Sequence, residues 1–352
     1  MSSSLEEEIV EHISRAISTM PSSVGARAAY SCEVPGKLVR PRLLVCTAAG
    51  LGLQPDDSGL LDVAEAIEMG HVASLIHDDI IDGSPLRRGR SALHTKFGAA
   101  TAIITGDAML FSMFRGLSSA CPPDVATQIV RTIADMGTRL CEGEHLEEAA
   151  TRSATTAVRS QEALSLATYM RVIRNKTASY FVAMCDIAVA MAPGGFEARD
   201  DLLKMAELFG MAFQVRDDLL RVLPSSVPAG KPLGIDESNG LVTAFDLHGA
   251  GFDLFEAVRE YVNNGGVEET SAAVRPRREV QRPQAQEVDI LLKKFRRELV
   301  QRVDALPCHA KGAGCLSRIS SGRHCDSVVR ISRDGRSADD AAAQLHRRRP
   351  PL

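Results

Sequence analysis

The chain has 352 residues, 45% hydrophobic and 24% charged, which is the balance of an ordinary globular protein long enough to bury a large core. A formal net charge of −4, no Trp and only four Tyr argue against a nucleic-acid partner, since both a basic surface and stacking platforms are missing. The eight cysteines form no CxxC pair, which excludes a zinc ribbon and a disulfide framework and fits a reducing, cytoplasmic setting. The polar, acidic start from Met1 to Glu8 is not a signal peptide, and no apolar run reaches the roughly 18–20 residues of a transmembrane segment.

Helical periodicity runs from the N-terminus to about residue 222. Ile9, Ile13, Ala16 and Ile17 recur at helical spacing, and an apolar segment from Leu38 to Leu51 starts after Pro35-Gly36. Leu61 to Ile81 is apolar on more than one face, so this helix is expected to be enclosed by others. Further helices are predicted over 99–118, 123–150, 160–192 and 198–222, with Gly and Pro between them, as at Pro122-Pro123 and Pro193-Gly194-Gly195. Period-two alternation is nearly absent, which predicts an all-α protein, a large antiparallel helical bundle. Residues 264–287 read as an extended linker, and an apolar stripe returns over 288–306 (Ile290, Leu291, Leu292, Phe295, Leu299, Val303). One helical domain over 1–306 is therefore expected, followed by a tail over 307–352. That tail carries nine Lys/Arg against four Asp, with few large apolar residues, and reads as disordered.

The chemistry concentrates in Asp78-Asp79-Ile80-Ile81-Asp82-Gly83-Ser84-Pro85-Leu86-Arg87-Arg88-Gly89-Arg90. On a helix, Asp78 and Asp82 are i, i+4 neighbours, and two carboxylates one turn apart repel unless a cation lies between them. Hard oxygen ligands suit Mg²⁺, which usually joins carboxylates to phosphate oxygens, and the planar donors of Arg87 and Arg88 suit phosphate. A solvated helix C-terminus stopped by Gly83 and Pro85 is the bland reading. Lys37 and Arg40, in Gly36-Lys37-Leu38-Val39-Arg40-Pro41, lie near a helix start. His71 is two turns before Asp78, Lys176-Thr177 interrupts an apolar helix, Gln214 precedes a second acidic pair, Asp217-Asp218, and Lys231 follows in a loop. Two acidic helix ends and several separated cations suit two diphosphates around metal ions. The cluster Glu142-Gly143-Glu144-His145-Leu146-Glu147-Glu148 has no matched partner set in the sequence and reads as a solvated or supporting helix face.

These motifs resemble those of the trans-type isoprenyl diphosphate synthases, the polyprenyl and geranylgeranyl kind, over roughly residues 30–245. The resemblance implies the isoprenoid synthase type I fold, about a dozen antiparallel helices around a central cavity, usually as a homodimer. It implies isopentenyl diphosphate and an allylic prenyl diphosphate as substrates, a geranylgeranyl or longer product, and about three Mg²⁺ ions. Asp78, Asp79 and Asp82 match the first aspartate-rich motif. Asp78, Asp82 and Asp217 would be the metal ligands. Lys37, Arg40, His71 and Arg88 resemble the isopentenyl-diphosphate contacts. Arg87, Lys176, Thr177, Gln214 and Lys231 resemble the groups that hold the allylic diphosphate.

The second motif departs from the family's DDxxD, reading Asp217-Asp218-Leu219-Leu220-Arg221, and Gly240 is followed by Leu241 where the family has lysine. Two alternatives therefore stay open: a class I terpene cyclase on the same scaffold, and a catalytically weak partner subunit of a synthase. Small residues above Asp78 (Ser74, Ala73, Gly70) leave room for a long product, unless Phe111 or Phe114 closes the space.

Overall fold

The computed structural model describes residues 4–155, 166–222, 253–265 and 285–306. The expected tail, most of the expected linker, and Lys231 lie outside the described residues.

The chain starts with α1 (Leu5–Ser18), opened by a capping box in which Ser4 accepts from the Glu7 backbone and the Glu7 side chain accepts from Ser4 N. Then come α2 (Ser22–Cys32), α3 (Val39–Gly50) and α4 (Ser58–Ile81). The Asp57 side chain caps α4 by accepting from Leu60 N at 3.0 Å. The helix stops at Asp82 and at Gly83, whose φ is +62°.

A two-stranded ribbon follows, β1 (Leu86–Arg87) paired antiparallel with β2 (Arg90–Ser91). Its turn residues, Arg88 and Gly89, have φ of +52° and +76°, the double left-handed geometry of a tight hairpin. Next are α5 (Leu93–Phe97), α6 (Ala99–Ser119) and α7 (Pro123–Thr155). Helix α8 (Leu166–Ile173) passes through one π-helical turn (Arg174–Ala178) into α9 (Ser179–Met191). After α10 (Arg199–Val222) come α11 (Leu254–Asn263) and α12 (Ala285–Ala305).

The all-α expectation holds, with corrections. The sequence reading misses α2, α5, α11 and the ribbon, each too short to show sustained periodicity. Helix α12 starts at Ala285, inside the stretch read as linker. Asp217 and Asp218 are not at a helix end, because α10 continues to Val222.

Helix α4 is enclosed by α1, α3 and α6, as its all-round apolar surface requires. Helix α9 packs on α3, α7 and α10, and α10 carries α11 and α12 on its outer side. The core has one cluster centred on α3, α4, α7 and α9 (Leu44, Ile67, Ile129, Met184) and another on α8, α10, α11 and α12 (Met170, Val215, Val258, Phe295). The π turn lies between them.

Two glycines let neighbouring helices press directly on this turn and on its junction with α9. A Cβ on Gly143 of α7 would lie 2.9 Å from Lys176 N, and a Cβ on Gly210 of α10 would lie 2.5 Å from Ala178 Cα. Because the obstacle at Gly210 is backbone, Gly210→Ala is expected to destabilise the protein by about 1–3 kcal/mol through overpacking. Thermal denaturation checks this, and an unchanged melting temperature would refute the close packing.

Candidate active site

Helix α4 carries two chemical faces about a quarter-turn apart. Asp78, Asp82, His71 and Ser74 share one. Asp79 lies on the other, 3% exposed, and accepts a forked pair of bonds from Arg87: Nε to Oδ1 at 2.9 Å, Nε to Oδ2 at 3.1 Å, and Nη2 to Oδ1. Asp79 and Arg87 line a small, partly open pocket of about 40 Å³ whose walls include Val72, Leu75, Ile76 and Leu93. Asp79 thus anchors the ribbon that carries Arg87 and Arg88.

On the first face, burial pushes the Asp78 carboxyl up to about 7. Lys176 works against that rise, while the charges of Glu144 and Asp82 add to it. Lys176 comes from the π turn. Its Nζ is 2.6 Å from Glu144 Oε2 and also donates to Glu147 Oε2. Burial opposes the lysine's charge, but Glu147, Glu144 and Asp78 outweigh it and hold the ammonium above the ordinary lysine range. The acidic cluster of α7 therefore has the partner that the sequence did not reveal. Glu142 of the same cluster points elsewhere and pairs with Arg171 at 3.0 Å.

The next residue, Thr177, faces α10. Thr177 Oγ1 donates to Gln214 Oε1 (2.7 Å), Gln214 Nε2 donates to Asp218 Oδ1 (2.8 Å), and Tyr169 Oη donates to Asp218 Oδ2 (2.8 Å). This relay fixes the amide orientation of Gln214, and it accounts for buried Asp218 as a support. Asp217 is half-buried, 3.0 Å from Arg216 Nη1.

Arg40 and His71 meet on the α3 side of α4. Arg40 Nη1 lies 3.0 Å from His71 Nε2. A guanidinium only donates, so Nε2 accepts and the ring proton sits on Nδ1. Burial first, and then the charges of Arg40, Arg88 and Arg87, hold the imidazole well below its usual range, so it is neutral. Tyr180 covers both groups, with the Arg40 guanidinium 4.7 Å from its ring centre and the His71 ring edge-on at 5.8 Å. Sequence reasoning missed Tyr180, although its i+4 spacing from Lys176 placed it on the same face.

His71 Nδ1 and Arg40 Nε are buried N–H donors with no hydrogen-bond partner, and the charges of both Asp78 and Asp217 act on Arg40. Orphaned buried donors are costly, and an anion would satisfy them. Arg88 Nη1 donates to Val34 O at 2.6 Å, which brings it to the strand of chain leading to exposed Lys37. Lys37 precedes α3 rather than lying on it, because Leu38 takes a left-handed φ of +48°. Glu68, one turn before His71, is a further residue that the sequence reading passed over. Burial raises its carboxyl to about 7, against the pull of Arg40 and Arg88.

The small residues above Asp78 separate on inspection. Ser74 bonds the His71 carbonyl at 2.8 Å and faces Tyr180. Ala73 is fully buried in a cluster with Met69, Ala102 and Met109, and Met113 lies over Gly70. Phe111 is 75% exposed, so it closes no interior space.

Raised carboxyls carry a pH signature. Asp78, Glu68 and Glu65 (about 7, 7 and 8) hold protons in the folded chain that they release near 4 when it unfolds. The native state binds more protons across this window, so stability falls as pH rises from about 4 to 8. In metal-free buffer Asp78→Asn is expected to raise the melting temperature at pH 8 and to leave it unchanged near pH 4. Calorimetry at the two pH values checks this, and an equal shift at both would refute it.

Known proteins agree with this architecture. The family described as Polyprenyl synthetase matches residues 22–263. Farnesyl diphosphate synthase of Geobacillus stearothermophilus is 33% identical over 267 residues, 72% of this chain and 86% of that protein. Octaprenyl diphosphate synthase of Haemophilus influenzae is 31% identical over 250 residues, covering 70% and 71%. The crystal structure of geranylgeranyl pyrophosphate synthetase from Pyrococcus horikoshii superposes with a TM-score of 0.68 at 24% identity, over 90% of this chain and 94% of that one. With its helical bundle, its paired carboxylates on α4 and its match across two-thirds of its length, the chain belongs to the polyprenyl synthetase family and is a prenyltransferase of isoprenoid biosynthesis.

Proposed function

We propose that this protein joins isopentenyl diphosphate to an allylic prenyl diphosphate, using the face of α4 that carries Asp78 and Asp82. The observation that carries this reading is the charge balance at Asp78. Glu144 and Glu147 bond the ammonium of Lys176, Asp78 faces it, and the Asp78 carboxyl is raised by burial first and then by the charges of Glu144 and Asp82, which Lys176 only partly offsets. Hard carboxylate oxygens short of cations fit Mg²⁺. Among the described residues no group of three His, Cys, Asp or Glu could hold a metal unaided, so diphosphate oxygens and water would complete the shell. Asp78 and Asp82 would hold the ions on one wall and Asp217 on the other. Bound there, Mg²⁺ would act as a Lewis acid that stabilises charge on the leaving diphosphate.

The chain's own residues then do the following. Lys176 and Arg87 add fixed positive charge beside the allylic diphosphate. Thr177 and Gln214, held by Asp218, line the path of the allylic carbons with oriented oxygen dipoles that favour a developing cation. Arg40, neutral His71 and Arg88, with Lys37 at the rim, bind the second diphosphate through the donors left unpaired at Arg40 and His71. The buried surroundings exclude water, which would otherwise quench the allylic cation. The last proton leaves to the departed diphosphate, so no side-chain base is needed. Lys231 keeps its proposed allylic role from sequence alone.

The small side chain of Ser74 supports a product of geranylgeranyl length or longer. Ser74, not Ala73, is the position to test, because Ala73 faces the core against α1 and α6, where a ring would overpack. Ile103, Ile104 and Phe111 form an exposed apolar stripe on α6, the face proposed for homodimer contact. No helix among the described residues is long and apolar enough to cross a membrane.

The deciding assay supplies Mg²⁺, labelled isopentenyl diphosphate and a series of allylic diphosphates, with chromatography of the dephosphorylated products. Elongated products are expected; cyclised hydrocarbons or no turnover would reject the reading. Asp78→Ala and Asp82→Ala are each expected to lower turnover at least about a hundredfold with an unchanged circular dichroism spectrum. Phe111→Glu is expected to shift the protein from dimer to monomer in sedimentation, and an unchanged assembly would remove α6 from the interface.

A further inference from the structure

Lys176 is held by more carboxylate than a lysine needs. Glu144 and Glu147 stand at i, i+3 on the same face of α7, and both bond its ammonium. The attachment is built deeply. Gly143 lets the α7 backbone meet the π turn at Lys176 N, so the lysine's stem begins against α7. Glu147 is largely enclosed, and burial raises its carboxyl despite the ammonium beside it. Asp78 lies across the gap, close enough for its charge to act on the same ammonium.

A lysine on a flexible four-carbon stem, facing buried carboxylates on two walls, settles on the wall that binds it more strongly. Settled on Asp78, it would neutralise one of the two carboxylates that the proposed function reserves for a divalent cation and put a positive charge where that cation would bind. We propose that Glu144 and Glu147 are positioning residues that hold Lys176 on the α7 wall and so keep Asp78 and Asp82 available to the cation. The lysine then faces the diphosphate from the opposite side, adding charge without competing for the acidic pair. This rests on the reading of Asp78 and Asp82 as the cation-binding pair.

The test uses the full chain and Mn²⁺ with inorganic pyrophosphate, read by electron paramagnetic resonance, so that it does not depend on turnover. E144Q/E147Q is expected to weaken Mn²⁺ binding about 10- to 100-fold, the usual effect of removing supporting groups. Adding K176M to that pair is expected to restore most of the affinity, because the displaced ammonium is what blocks the acidic pair. In turnover, the double variant is expected to need more Mg²⁺ for half-saturation, with kcat largely regained at high Mg²⁺. Unchanged Mn²⁺ affinity in the double variant overturns the inference. So does a loss that K176M fails to rescue, which would make the glutamates ligands or plain packing. If the double variant does not fold, E147Q with and without K176M carries the same comparison. A wild-type protein that binds no Mn²⁺ with pyrophosphate rejects the cation-binding reading itself, before any variant is compared.

Discussion

The close packing of the π turn between α7 and α10 is the constraint on which the rest of the site depends. A π turn is wider than an α turn and shifts the residues after it around the helix axis. Here consecutive residues Lys176 and Thr177 reach opposite neighbours, one α7 and the other α10. Only glycine at 143 and 210 allows both helices to touch the turn and its junction with α9. Any loosening there would move the ammonium and the Thr177–Gln214–Asp218 relay together. Backbone contact fixes positions more firmly than side-chain contact, because no rotamer can absorb the change.

A second organising feature is the division of labour along Asp78-Asp79. Adjacent on a helix, the two carboxylates point about 100° apart. Asp78 enters the gap shared with α7 and the π turn, whereas Asp79 turns to the ribbon and grips Arg87. The left-handed Arg88 is tolerated because the ribbon is anchored at the two residues entering its turn, Arg87 by Asp79 and Arg88 by the Val34 carbonyl. The arginine pair after the aspartates is thus a built part of the structure, held by the middle carboxylate of the motif.

Electrostatically the site works against the fold. Asp78 and Glu68 are buried acids, each raised to about 7, and Arg40 and His71 keep buried donors unsatisfied. Each of these is a stability cost in the isolated chain. The costs cluster where the core is otherwise well packed, around α4 and its neighbours. Binding of cations and anions would relieve them, which links ligand affinity to stability at the same residues.

Composition and the 3.6-residue period determined the all-α class, the course of α4, α6 and α10, and the aspartate-arginine motif, because these follow from local patterning alone. Short elements such as α2, α5 and the four-residue ribbon escaped, since too few residues repeat to reveal a period. The Asp79–Arg87 fork, the Arg40–His71–Tyr180 stack and the Thr177–Gln214 bond join residues 8 to 140 positions apart. The acidic run on α7 looked unpartnered for the same reason, as Lys176 lies about eight turns of chain further on. Sequence periodicity states which face a residue shares, while the identity of whatever meets that face is decided by packing. That is why the residues of the site were legible one by one, and why only the tertiary structure decided which of them touch.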